Sequence, residues 1–450
     1  MSTEELLEAL RQRNPKSGEI WERAQKVYPG GEISAARTFD PYPFYVQRAE
    51  GAYLWDIDGN RYLDCCMCYG VHLLGHRPAP VMEALAAQLE RDTHYGAPHP
   101  LEVEFAEKFV KCAPCAEMIL LCNSGFEAVM KAITIARAYT GRDKVAKFEG
   151  GFHGAHEYSL WSILLDPELM GPAERPNLVP QAAGLPKAAK DAMLLLPYGE
   201  ESAFDLIAEH ASELAVVMIE PVFGPGTLPA DKGFLQKLRE VTRRTGVLLL
   251  FDEVMTGFRL ALGGGQEFYG VVPDIATYGK AIGGGLPIGA VGCSREIMHA
   301  VTEMEPPIAV AGTFSGNCLT VAAGNALLDY LMDHPQIYGE LAAKGDHLRA
   351  TFNDFARSRG LPATMTGVGS LFQAHLQPPP VTKPRDLIRE DFEARYDFAL
   401  LLRLNGVFIP APIHLAFISP AHSDEDMEEI IRAHQITLEA CLAARTPQSK

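Results

Sequence analysis

Lys280 is the one lysine in an otherwise apolar, glycine-rich run, Tyr278-Gly-Lys-Ala-Ile-Gly-Gly-Gly-Leu-Pro-Ile-Gly289. Such surroundings disfavour the ammonium form and make a neutral, nucleophilic amine accessible, whereas a solvated lysine usually sits among polar neighbours. Asp252 and Glu253 close a second apolar run, Val247–Phe251. In a parallel α/β sheet, ligand-binding groups gather at the carboxyl ends of strands, although an acid there can also be a simple helix cap. A third feature, Asn123-Ser-Gly-Phe-Glu127, follows the run Met118–Cys122 and opens a helical pattern. A turn of this kind aims free backbone N–H groups outward at the positive end of a helix, where a phosphate fits. Ser124-x-x-Glu127 also reads as a capping box, and the two roles are compatible. An amine to hold an aldehyde, a carboxylate to keep a pyridine nitrogen protonated and a phosphate cradle are needed together in pyridoxal 5′-phosphate (PLP) chemistry.

The elements that must position these groups lie between about residues 76 and 330. There, short apolar runs (118–122, 214–219, 247–251) alternate with helical patterns over 127–139 and 233–245. The alternation predicts an α/β domain, its mostly parallel sheet covered on both faces. Before it, a helix and a loop at Tyr28-Pro-Gly-Gly31 precede a hairpin over 52–64, turning at Asp58-Gly59. Asp56-x-Asp58-Gly also touches on a calcium-loop pattern, but position 12 of that loop would be Met67, which cannot ligate calcium. After 331 come a helix, strands over 370–376, 407–410 and 415–419, and a last helix with acid in its first turn, Asp424-Glu-Asp. The expected division is 1–75 as an N-terminal segment packing with the small domain, 76–330 as the large domain and 331–450 as a smaller α+β domain. The Pro-rich stretch 160–190 reads as a long loop and a candidate active-site flap.

Composition narrows the function classes. With 47% apolar and 22% charged residues the 450-residue chain has a globular balance, and its net charge of −17 argues against nucleic acid or anionic membrane as main partner. No apolar run reaches the roughly 18–20 residues needed to span a bilayer. The N-terminus lacks an apolar signal core, which makes the cytoplasm the expected location. Of nine cysteines, Cys112 and Cys115 match C-x-x-C, and Cys65, Cys66 and Cys68 cluster. Nothing completes a zinc set, so no metal is expected and the thiols are read as buried and reduced.

The run Phe251-Asp-Glu-Val-Met-Thr-Gly-Phe-Arg, then Pro273-Asp, then Gly279-Lys-Ala-Ile-Gly-Gly-Gly-Leu-Pro resembles the class III (fold type I) aminotransferases. Within them it is most similar to glutamate-1-semialdehyde 2,1-aminomutase and its aminotransferase relatives, from Gly51-Ala-Tyr-Leu-Trp to Ala421-His-Ser-Asp. The resemblance implies a seven-stranded, mostly parallel large-domain sheet and PLP held as a Schiff base on Lys280, which would also move the substrate proton. Asp252 would pair with the pyridine nitrogen, and Val254 and Phe152 would sandwich the ring. Ser124, Gly125 and Phe126 would cup the phosphate, with His153 and Glu220 also at the cofactor. Thr313 would reach the phosphate of the other subunit, which implies a homodimer with active sites at its interface.

The departures fall toward the substrate. Phe126 stands where the family usually has Thr, and Pro225, which has no N–H, stands where the aminomutase has Asn. Arg37 matches an arginine that grips a substrate carboxylate, though it also reads as a surface arginine of an N-terminal loop. Tyr69 replaces Trp, and His414 replaces a glutamate. These departures favour an aminotransferase working between an amino acid, β- or aromatic, and a keto acid. The alternative is intramolecular transfer of the aminomutase type. Lys280 and Asp252 together weigh against a third reading, a non-catalytic homologue.

Overall fold

In the computed structural model, which describes residues 1–410 and 415–443, the apolar runs become strands of one seven-stranded sheet. In chain order these are β1 (Met118–Cys122), β2 (Lys144–Phe148), β3 (Met193–Leu196), β4 (Leu214–Ile219), β5 (Leu248–Asp252), β6 (Ile275–Gly279) and β7 (Gly289–Cys293). They lie in the order β1-β7-β6-β5-β4-β2-β3. Neighbours run parallel except at β7, which is antiparallel to both β6 and β1. Every residue of β4, β5, β6 and β7 is buried, the reason these strands read as unbroken apolar runs.

The helix Gly125–Thr140 shows how one sequence element meets this sheet. Its buried side chains, Ala128, Val129, Ala132, Ile133, Ile135 and Ala136, recur at helical spacing and join a core with residues of β4, β5 and β7. Ser124 caps its start, and Gly141, in the left-handed region at φ 67°, ends it.

The sheet belongs to a unit formed by residues 79–338 together with 382–388. The latter segment corrects the expected division, which placed all of 331–450 in the small domain. A second unit holds 1–78, 339–381 and the described residues from 389 on. In it the strands Val46–Glu50, Tyr53–Asp56 and Arg61–Asp64 form an antiparallel meander, and Val407–Phe408 adds parallel to Arg61–Asp64. A separate three-stranded sheet is built from Thr364–Thr366, Leu371–His375 and Ala416–Phe417.

Several local expectations change. The N-terminal helix is two helices, Thr3–Arg13 and Pro15–Ala24, because Pro15 removes a donor and pushes Asn14 out of the helical region, to φ −123°. The strands expected over 370–376, 407–410 and 415–419 are shorter, as given above. The 160–190 stretch holds only an isolated bridge between Trp161 and Pro180 and a short helix, Lys187–Asp191. Cys68 is exposed and Cys112 half-buried, against the expectation of burial; all nine cysteines are free thiols. The Asp56 and Asp58 carboxylates accept backbone N–H groups, from Asn60 at 2.7 Å and from Lys16 at 2.6 Å. Among the described residues no group of His, Cys, Asp and Glu is placed to hold a metal ion, and no helix is long and apolar enough to cross a membrane.

Candidate active site

The residues singled out for chemistry converge at one edge of the sheet because each ends a strand. Gly279 of β6 pairs with Gly289 of β7, which pairs with Cys122 of β1, so one row links the start of the Lys280 turn to the start of the Ser124 turn. Glycine is required at one place in that row, Gly289. A Cβ on Gly289 would stand 2.1 Å from the Ser124 carbonyl oxygen, and one on Gly279 would stand 3.3 Å from Gly125 Cα. Lys280 follows directly, half-buried, in the left-handed region at φ 50°. A non-glycine residue held there is strained, a condition that concentrates at functional sites.

Asp252 ends β5 and pairs in register with Thr277, three residues before Lys280. Its carboxylate is 5% exposed. Oδ1 accepts the Val254 N–H at 3.1 Å, and Oδ2 lies 2.9 Å from Nδ1 of His153. Burial lowers the His153 pKa, with Asp252 opposing the fall. A neutral His153 therefore donates from Nδ1 to Asp252 and fixes the orientation of that carboxylate. His153 Nε2 has no hydrogen-bond partner in the structure.

Glu220, just past β4, accepts the Phe152 N–H at 2.7 Å and the Gly224 N–H at 3.0 Å. Burial first, then the Asp252 charge, pushes its pKa up to about 8, with the two N–H groups and Lys280 pulling the other way. It clamps the loop that carries Phe152, whose ring is 46% exposed and free to stack.

At the third turn, Ser124 Oγ accepts the Glu127 N–H at 3.3 Å, and Glu127 Oε2 accepts from Asn123 rather than from the cap residue itself. The box is shifted by one residue. A Cβ on Gly125 would stand 2.7 Å from Val254, and one on Gly154 would stand 2.2 Å from Cβ of Phe126. Gly125, Val254, Phe126 and the 150–154 loop therefore meet at the helix N-terminus. Thr313 is exposed, and its carbonyl lies 2.6 Å from His94 Nε2.

In the other unit, the Tyr69 hydroxyl donates to the Ala36 carbonyl, beside Arg37. Burial raises the Tyr69 pKa, and the Arg37 charge offsets part of the rise. The two expected substrate residues are thus neighbours. His414 lies outside the described residues.

Two groups escaped the sequence reading, and of a third, Glu253, only its place at the strand end was read. Lys147, buried inside β2, donates to the carbonyls of Gly151, Ser159 and Trp161 at 2.6, 3.0 and 2.7 Å. Glu149, one residue past β2, is paired with Arg385. Glu253 accepts the N–H groups of Gly265 and Gln266 at 2.8 and 3.0 Å and so fixes the turn after β5.

These residues fit PLP. A strand-end amine, a buried carboxylate braced by an imidazole, and a helix N-terminus cleared of side-chain bulk at Gly125 are the three parts the cofactor requires. Comparison with known proteins agrees. The model of the class-III aminotransferase family matches residues 34–431. A glutamate-1-semialdehyde 2,1-aminomutase of Methanobrevibacter smithii is 39% identical over 94% of this chain and 98% of its own length. Among solved structures, an omega-transaminase from Sphaerobacter thermophilus is 35% identical with a TM-score of 0.89, covering 95% of this chain and 98% of that one. A β-phenylalanine aminotransferase from Variovorax paradoxus is 32% identical with a TM-score of 0.87, covering 98% and 97%.

Proposed function

The chain belongs to the class-III aminotransferases, PLP-dependent enzymes of fold type I, and from that premise we propose that it moves an amino group within one small substrate, in the manner of glutamate-1-semialdehyde 2,1-aminomutase. The observation that carries this is the 39% identity to an aminomutase, sustained over 94% of the chain. It reverses the preference drawn from the departures alone. PLP, when bound, supplies an electron sink for the carbon that loses its proton.

The chain's own groups would do the rest. Lys280 Nζ anchors the cofactor and carries the proton. Asp252 holds a negative charge for the pyridine nitrogen, and His153 keeps that carboxylate oriented. Ser124 and the N–H groups of Gly125 and Phe126 would hold the phosphate. Phe152 and Val254 would face the ring, and Glu220 holds the Phe152 loop. Thr313 would serve the partner subunit of a homodimer. At the substrate end we assign Arg37 the carboxylate, with Tyr69 beside it and His414 in place of the expected glutamate.

Intermolecular transfer between an amino acid and a keto acid is the second reading. It is supported by the 35% and 32% identity to the two transaminase structures and by Pro225 and Phe126, neither of which offers the side-chain group expected there. One assay separates them. The purified holoenzyme is given glutamate-1-semialdehyde with no keto acid present. Sustained formation of 5-aminolevulinate supports the first reading. No product there, with amino transfer from β-amino acids to 2-oxoglutarate, replaces it with the second. No turnover in either assay, with no borohydride-stable label on Lys280, would leave a non-catalytic homologue.

A further inference from the structure

The chain between β2 and the short helix at 187 carries Phe152 and His153, yet it has almost no regular structure of its own. Long irregular segments keep a fixed path only when something outside them holds it. Lys147 holds the near part through its three carbonyl acceptors. The far part is held from a distant place in the chain.

The segment 382–388 contributes Arg385. Its Nε lies 2.9 and 3.0 Å from the two Glu149 carboxylate oxygens, while Nη1 and Nη2 each donate at 3.0 Å, to the carbonyls of Gly171 and Pro172. The Glu149 side chain is 1% exposed and that of Arg385 12%. The segment is itself braced. The N–H groups of Thr382 and Lys383 donate to Asp386 Oδ2 at 2.8 and 3.1 Å, and Lys383 Nζ reaches Glu200 at 2.9 Å. Pro384 covers Gly150, where an added Cβ would stand 2.4 Å from the proline ring. A planar fork serves a carboxylate and two carbonyls at once; a point-charge ammonium has no such geometry.

We propose that Arg385 is a positioning residue for the cofactor: by tying Glu149, at the exit of β2, to residues 171–172, it holds the loop that presents Phe152 and His153. This rests on PLP dependence and is indifferent to which amino transfer the enzyme performs.

The test compares R385M with E149Q/R385M, the second removing the buried carboxylate that the first leaves alone. Amide exchange of the apoprotein over 150–186 and PLP affinity by titration are read beside urea stability. R385M is expected to speed exchange over 150–172 and weaken PLP binding by about tenfold or more. E149Q/R385M should regain urea stability and keep both the fast exchange and the weak binding. Should R385M fail to fold, the double variant alone decides. Recovery of PLP affinity and loop protection in the double variant, or unchanged values in R385M, would overturn the proposal and leave the pair a stability element only.

Discussion

Replacing Lys147 by methionine tests whether a buried cation organises the cofactor loop. The side chain is fully buried, and burial brings its pKa from 10.5 down to about 7, with Glu220 opposing the fall. At about 1.4 kcal/mol per pH unit, that amounts to roughly 5 kcal/mol against the charged form. The hydrogen bonds to three carbonyls also act on the charged form and are part of that balance, so the sharp test is the pH dependence. An unfolded lysine keeps its proton to about pH 10.5, whereas the folded one releases it above about 7. The unfolded chain binds more protons across that window, so wild-type stability gains a rising contribution that K147M lacks. The gap between the two proteins should therefore widen by about 2 kcal/mol from pH 7 to pH 9. Urea unfolding of both at pH 6, 7, 8 and 9 measures it, repeated in an E220Q background because Glu220 titrates near 8 and is coupled to Lys147. A gap that stays flat or narrows would mean that Lys147 keeps its proton in the fold, and the reasoning fails.

The other site predictions are read more directly. D252N keeps the shape beside His153 and removes the charge; turnover should fall about 10²–10³-fold with the borohydride label on Lys280 retained, and a loss under about fivefold would exclude a role for that charge. R37M should raise KM for carboxylate substrates roughly 10–100-fold with kcat changed little, the pattern of a lost charged hydrogen bond in substrate binding. G289A places a methyl 2.1 Å from the Ser124 carbonyl, so the phosphate turn must shift. Weaker PLP binding and a stability loss of about 1–3 kcal/mol are expected by titration and urea unfolding.

Lys280 and Asp252 were legible because each ends a fully buried strand, and the 123–127 turn because it ends an apolar, partly buried one; unbroken apolar runs mark such strands plainly. Pairing them was legible too, since parallel sheets collect strand ends on one edge. Lys147 was not legible: its strand, Lys-Val-Ala-Lys-Phe, holds two lysines, and no local pattern says that the second is the buried one that must find partners. Arg385 carried no signal either. It stands in a Pro-rich, charged stretch that reads as exposed, 236 residues from Glu149, and no local pattern links them. The same limit put 382–388 in the wrong unit. The split N-terminal helix was different, for Pro15 announced it.

The turn that carries Tyr69 lies further still from sequence reach. Met67, Cys68 and Tyr69 have φ of 45°, 53° and 56°, three successive non-glycine residues in the left-handed region, at about 1–2 kcal/mol each. Such a turn persists only if its surroundings over-determine it, and they do. Asp64 Oδ1 accepts the Cys66 and Met67 N–H groups at 2.8 and 3.2 Å, while Oδ2 lies 2.7 Å from His76 Nε2. Gly70 packs against Phe417, leaving no room for a Cβ. If Asp64 sets the turn, the strain at exposed Cys68 is incidental and can be released. C68G removes it and raises the chain entropy of the unfolded state, for a net gain of about 0.5 kcal/mol. KM should stay within twofold, because the Tyr69 hydroxyl remains tied to Ala36. A loss of more than about 1 kcal/mol in urea unfolding would mean that the Cys68 side chain, and not the Asp64 frame, keeps Tyr69 in place.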